Sequence, residues 1–421
     1  MANGALSRRA FLAAVGLGGA GLLAGCSAGK NDAASTSAAS TKEVVYDRGT
    51  QEAAEAAAAA TGTDVVLAPD ATVTIGMVGD ILVHTYVWKS GVQAAGSRNY
   101  DAIFENVRGD IEPLDLAMLD QETILGGESL EFSGYPSFNS PQEFADAEVA
   151  AGFDVILHAN NHALDRSMTG IESELSYWRA NFPDAVVTGM ADSEEAAAVV
   201  PVIELAGHKV AVLNFTQDTN GIPLPDDAPW AVRMLTDEQV ESDFAAAKAA
   251  GAEAIIVCPH WGEEYTEGPN DYQREWAQRF IELGATAIFG NHPHVMHTVE
   301  WLTADDGRAV PVYWSLGNFV STMSRMDSMI GGLGRVTIEF AGGGVEVAEA
   351  RLTPLVTHKI YGPGLTTYKL VDYTEDLAAQ NAIRNDTGCG GFTRAWCVDF
   401  CAGRLGDGFD AESCEFVPIA G

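Results

Sequence analysis

The chain has 421 residues, and its 59 acidic side chains against 24 basic ones give a formal charge of -35. Such a surface repels phosphate backbones and anionic headgroups, which argues against nucleic acid as a partner. Hydrophobic residues make up 47% and charged residues 20%, the balance of a globular chain rather than a disordered or membrane-spanning one.

The first 26 residues read as an address and stand outside the fold. Arg8-Arg9 precede an apolar run from Phe11 to Ala24. That run is shorter than the roughly 20 residues a spanning helix needs. It ends in Leu23-Ala24-Gly25-Cys26, which resembles the lipobox of bacterial lipoproteins. The expectation is export, with lipid on Cys26 anchoring the chain to the outer face of the cell membrane. An uncleaved N-terminal helical anchor is the alternative. The arginine pair resembles a twin-arginine signal, though ordinary secretory signals carry such pairs too. Residues 27 to 71, rich in Ala, Ser and Thr, read as a flexible tether.

From residue 72 to about 355, short apolar β-rich runs alternate with helical stretches. The expected strands are Thr72–Asp80, Leu114–Asp120, Phe153–Ala159, Lys209–Phe215, Ala252–His260, Ala285–Asn291 and Val310–Asn318. Several are apolar nearly throughout, as strands covered on both faces are. Ser140-Pro141-Gln142-Glu143 reads as a capping box, and its helix stops by Gly152. Thr236 with Gln239 opens a second helix that stops at Gly251, and Asn270 opens a third that runs to Gly284. This alternation predicts an α/β layered domain. Arg335–Phe340 and Val345–Leu352, joined across Gly342-Gly343-Gly344, read as an added hairpin. Residues 356–421 form a Cys-containing extension, in which Cys389, Cys397, Cys401 and Cys414 are expected to form two disulfides. A four-thiolate zinc site is the rival, although paired C-x-x-C knuckles are missing. Cys258 reads as a buried small hydrophobe.

Polar residues gather at the C-terminal ends of these strands, where α/β sheets place their ligands. Asp80 ends the first, Asp120-Gln121-Glu122 follows the second, and His158 with Asn160-Asn161-His162 ends the third. His260, then His292 and His294, then Asn318 end later ones. Any one of these histidines alone reads as a packed side chain. Together, imidazoles, carboxylates and an amide oxygen are a donor set for Mn, Fe or Zn.

Gly79-Asp80, Asp120-Gln121-Glu122, Asn160-Asn161-His162, His260-Trp261-Gly262, His292-Pro293-His294 and Ser315-Leu316-Gly317-Asn318 together resemble the CapA family. These are capsule-synthesis proteins associated with poly-γ-glutamate, within the wider calcineurin-like metallophosphatase superfamily. The resemblance covers residues 72 to 325 and implies a four-layer α-β-β-α sandwich of two mixed sheets flanked by helices. It also implies a divalent metal centre of two ions. Asp80 and His294 would hold the first ion, Glu122 would bridge, and Asn161, His260 and His292 would hold the second. His162 would act on the substrate as proton donor, steadied by Asp165.

Two positions depart from the family pattern. The histidine usual two residues after the first aspartate is Leu82, leaving His84 as a candidate replacement ligand, and the usual Asn-Leu-Glu is Asp120-Gln121-Glu122. Trp261 and Tyr265 are candidates for the substrate wall and Asn318 for a ligand contact, each with a packing or turn-capping role as the alternative. The resulting expectation is a tethered metal-dependent hydrolase acting on an anionic polymer or phosphoester, alongside capsule synthesis or export proteins. A non-catalytic, polymer-binding component of such a complex is the competing reading.

Overall fold

The computed structural model describes residues 70–360 and 364–419. The expected signal peptide, Cys26 and nearly all of the tether lie outside them. Among the described residues no helix is long and apolar enough to cross a membrane.

The strands build two sheets. β1 (Ala71–Ile81), β2 (Leu116–Gln121), β3 (Val155–Leu157) and β4 (Val186–Thr188) lie parallel and side by side. The chain then forms a six-stranded sheet from β5 (Val202–Leu205), β6 (His208–Thr216), β7 (Ala254–His260), β8 (Ala287–Phe289), β9 (Val299–Thr303) and β10 (Ala309–Tyr313). Its order is β5-β6-β7-β8-β10-β9, with parallel pairs in the middle and antiparallel ones at both edges. The chain returns to the first sheet through β11 (Asn318–Val320), parallel to β1. β12 (Ile330–Ala341) then lies antiparallel to β1 and pairs with β13 (Gly344–Ile360) as the expected hairpin. β14 (Gly364–Lys369), β15 (Phe409–Asp410) and β16 (Glu415–Phe416) bring this sheet to ten strands.

Side-chain alternation turns these sheets into layers. One face of β1 (Val73, Ile75, Met77) shares a core with Val210 and Val212 of β6 and Ile256 and Cys258 of β7. The opposite face of the first sheet, with Val78, Ala117, Leu119 and Ile156, packs on Phe104, Ile111, Phe144 and Ala147 from its helices. The outer face of the second sheet, with Leu213, Phe215, Ile255 and Val257, packs on Phe244 of helix Asp237–Ala249 and Phe280 of helix Asp271–Leu283. Helix, sheet, sheet, helix is thus the order of layers, and burial on both faces accounts for the unbroken apolar runs.

Most of the expected helix boundaries are present. Asn270 and Gln273 form a capping box, Thr236 accepts from the Gln239 amide, and Gly152 and Gly284 end their helices at φ 105° and 103°. Ser140 differs. Its hydroxyl turns to Thr123 at 3.3 Å, and helix Glu143–Ala151 starts without a side-chain cap.

The boundary expected at 355 falls inside β13, and the extension is built into the first sheet. β14 and β16 both pair with β13, while Tyr373, Ile383, Phe392 and Phe416 enter the inter-sheet core. In place of disulfides, Cys389, Cys397, Cys401 and Cys414 are free, buried thiols. Cys397 and Cys401 stand one turn apart on helix Arg394–Leu405 and fill the same core as small apolar groups. The extension also reaches the loops beyond β7 and β11, through Arg404 on the Glu267 carbonyl and Cys389 against the Ser324 carbonyl.

One buried group in the helix layer makes stability depend on pH. Glu148 is fully buried, and neither carboxyl oxygen has a hydrogen-bond partner. Burial, and then the neighbouring Glu174, push its pKa well above the usual range. A carboxyl raised on folding leaves stability intact at low pH and erodes it as pH climbs from the unfolded value through the folded one. Glu148→Gln should therefore flatten the fall in Tm between pH 5 and pH 8, with a gain of about 1–3 kcal/mol at the upper end. Parallel melting curves for the two proteins across that range check it.

Candidate metal centre

The strand ends bring the expected donors together. A Cβ at Gly79 would lie 1.9 Å from the Gly317 carbonyl oxygen, so only glycine lets β1 close on the turn before β11. That approach fixes Asp80, whose amide donates to Gly317 O at 2.8 Å. On the other sheet, His292 and His294 hold φ of 100° and 57° either side of Pro293. Positive φ is uncommon outside glycine, and residues that hold it cluster at functional sites.

Three donor groups result among the described residues: Asp80, Asp120 and His260 form one, and the other two share Glu122. The ligand atoms of Glu122, His260 and His292 lie within 4.8 Å of one another, as do those of Asp80, Glu122 and His294. Glu122 Oε1 stands 3.6 Å from His260 Nε2 and 3.5 Å from His294 Nε2, the bridging position. Asn161 Oδ1 is 2.9 Å from His260 Nε2, and His292 Nδ1 is 3.1 Å from the same nitrogen. All these residues are buried or nearly so.

The residues fit a cation on their own chemistry. Asp80 Oδ1 and both oxygens of Glu122 are buried with no hydrogen-bond partner. Burial raises the pKa of both carboxyls, and Asp80 and Asp120 push Glu122 higher. His292 is driven the other way, by burial and then by His260 and His294. Burial and like-charge neighbours move the acids up and the base down, and a cation placed among them would reverse both.

Asp120, the departure from the family pattern, has a definite place. Its Oδ2 lies 2.9 Å from His260 Nδ1, and its Oδ1 accepts from Asn160 at 3.2 Å. Burial alone would lower the His260 pKa, but Asp120, together with Asp80 and Asp218, outweighs it and holds the value up. A carboxylate on Nδ1 leaves Nε2 for the ion, the usual carboxylate–histidine arrangement around metals. Asn318 plays the same part for His294, with Oδ1 at 3.0 Å from Nδ1. It is buried and bonded to Ser321 and the Ser328 carbonyl, so it faces His294 and does not line the cleft.

Beside the donors opens a cleft of about 220 Å³, lined by His84, His162, His294, Tyr135, Phe138 and Tyr265. His162 Nδ1 is 2.8 Å from Asp165 Oδ2, which also accepts from the Phe138 amide. Tyr265 is on the wall, as expected. Trp261 is not: it is wholly buried, donates to Trp314 O and stacks on Trp314 and Phe280. His84 joins no donor set among the described residues and stands in the cleft wall, its Nδ1 near the Leu82 carbonyl. His158 turns away to Glu174, 3.0 Å from its Nε2. The cleft residues Tyr135 and Phe138 and the loop residue Asn220 were not singled out from the sequence. Of these, Asn220-Gly221 carried a visible signal, a turn dipeptide just past a strand.

Residues 74–323 match the family described as bacterial capsule synthesis protein PGA_cap. The PGA biosynthesis protein CapA of Bacillus subtilis is 27% identical over 274 residues, covering 60% of this chain and 64% of that one. The capsule biosynthesis protein CapA of Bacillus anthracis is 27% identical over 254 residues, 59% of each. The chain thus spans less than two thirds of these relatives. Among solved structures, the NAD nucleotidase NadN of Haemophilus influenzae has a TM-score of 0.43 at 13% identity, covering 68% of this chain and 56% of its own. The calcineurin-like phosphoesterase YfkN of Bacillus subtilis has a TM-score of 0.39 at 14% identity, covering 68% and 91%.

Metal-free protein should gain Tm on addition of Mn²⁺ or Zn²⁺, with about 2.7 kcal/mol of stabilisation at a hundredfold excess over Kd. Glu122→Gln should lose most of that gain. Melting curves with and without each ion decide it, and an unmoved wild-type Tm would show that the cluster holds neither.

Proposed function

The chain belongs to the PGA_cap family of bacterial capsule synthesis proteins, and from that premise we propose that it is a membrane-tethered, metal-dependent hydrolase of capsule synthesis or export. Its substrate is an anionic phosphoester or envelope polymer such as poly-γ-glutamate, and its partners are other proteins of that process. The observation that supports this most is the pair of donor sets sharing Glu122 beside the His162–Asp165 couple in an open cleft. Two ions of Mn, Fe or Zn bound there would supply Lewis-acid activation at the reacting group.

The chain's own residues supply the remainder. Against the four charges of two divalent ions stand Asp80, Asp120 and Glu122, so the filled site stays positive enough to draw an anion from a chain of formal charge -35. Asp165 holds His162 by Nδ1, leaving Nε2 to hand a proton to a leaving group in the cleft. Leu82, Phe138 and Met323 give that cleft an apolar wall. Lipid on Cys26 and the Ala-rich stretch behind it would place this domain at the outer face of the membrane.

The competing reading is a polymer-binding component without turnover, favoured by Leu82 where a histidine ligand is usual. A panel of phosphoesters and γ-glutamyl peptides with added Mn²⁺ separates the two. Turnover that falls about 10²–10⁴-fold in His162→Ala, with metal content unchanged, is the expected result. Silence across the panel together with measurable poly-γ-glutamate affinity would establish the binding role instead.

A further inference from the structure

The loop after β6, residues 217–222, belongs to none of the expected motifs, yet it touches three residues of the metal centre. Gln217 is laced to the end of β7: its amide donates to the His260 carbonyl at 3.0 Å, and its Oε1 accepts from Gly262 at 2.9 Å. The loop then turns on Asp218, whose carboxylate accepts the Asn220 amide at 2.7 Å. Asn220 itself sits at φ 54°, the left-handed region that asparagine tolerates better than most residues.

The side chain of Asn220 takes no part in that turn. Its Oδ1 accepts from Asn161 Nδ2 at 3.2 Å, and its Nδ2 lies 3.4 Å from Nδ1 and 3.5 Å from Nε2 of His162. The amide thus stands against the imidazole, near both ring nitrogens, while Phe138 meets the same ring edge-on at 4.7 Å. An amide has two similar ends, and only its hydrogen bonds decide which faces a cation. At Asn161 the nitrogen is committed to Asn220, so the oxygen is the end left beside His260 Nε2.

We propose that Asn220 is a positioning residue, which locks the Asn161 amide with its oxygen toward the second ion and holds the His162 ring in place. The inference rests on the metal-centre reading. It gives the second position (Asn161, His260, His292) a dependence on an exposed loop that the first position (Asp80, His294) lacks.

Calorimetric titration of the metal-free chain with Mn²⁺ tests it. Wild type should bind two ions. In Asn220→Ala one affinity should fall roughly 10–100-fold, the usual effect of removing an orienting partner, with the other affinity and the metal-free Tm unchanged. Asn220→Asp keeps an acceptor oxygen for Asn161 Nδ2 and should restore the lost affinity. Two unchanged affinities in Asn220→Ala, or an Asn220→Asp as weak as the alanine variant, would overturn the proposal while leaving the metal centre standing. A wild type that binds no ion would overturn both.

Discussion

Three carboxylates, Asp80, Asp120 and Glu122, are buried within reach of one another at the ends of β1 and β2. Like charges removed from water at such spacing cannot all ionise unless a counter-charge sits among them. Asp120 finds part of it in His260, but Glu122 has no hydrogen-bond partner on either oxygen and Asp80 none on Oδ1. Much of the surrounding structure serves that demand. Gly79 exists so that β1 can close on Gly317, and His292 and His294 accept positive φ so that both imidazoles point inward.

Around the donors runs a consistent set of supports. Asp120 holds His260, Asn318 holds His294, Asp165 holds His162, and Asn220 holds Asn161. Each supporting group binds the atom its partner does not need for chemistry and so fixes the tautomer or amide orientation of the other. The supports come from β2, β11 and two loops, so a shift in either sheet is felt at the centre. The C-terminal extension extends this bracing outward, through Arg404 on Glu267 and Cys389 against Ser324, next to the loops that carry Tyr265 and Met323.

The layered fold and the donors were legible in the sequence because both depend on local pattern. Apolar runs mark strands, and polar residues at their C-terminal ends mark a candidate donor set; the roles of Asp80, Glu122, Asn161, His260, His292 and His294 within it are what the CapA resemblance implies. What was not legible depends on distance. β4, β5 and β9 are short edge or near-edge strands whose status comes from pairing partners. Trp261 follows a ligand in sequence but packs on Trp314, which no spacing announces. The extension read as an appendage because its cysteines suggested staples, whereas its strands pair with β13 and its thiols are packed apolar groups. Asn220 lies four residues beyond the end of β6, and its contacts with Asn161 and His162 span 59 and 58 positions, which no local pattern conveys.

The replacement of a histidine by Leu82 acquires a meaning once these placements are set together. Leu82 is buried and forms part of the cleft wall, so no imidazole reaches the first position from there. That position keeps Asp80, Glu122 and His294, three protein donors, while the second has Glu122, Asn161, His260 and His292. Metal sites that do chemistry commonly leave coordination open, whereas structural sites are closed by protein. The open side of the first position adjoins the cleft that His294 itself lines, with His84 and His162 on the same wall. With Leu82 there, a cation among Asp80, Glu122 and His294 would have three protein donors on the side that meets the cleft, and one among Glu122, Asn161, His260 and His292 would have four.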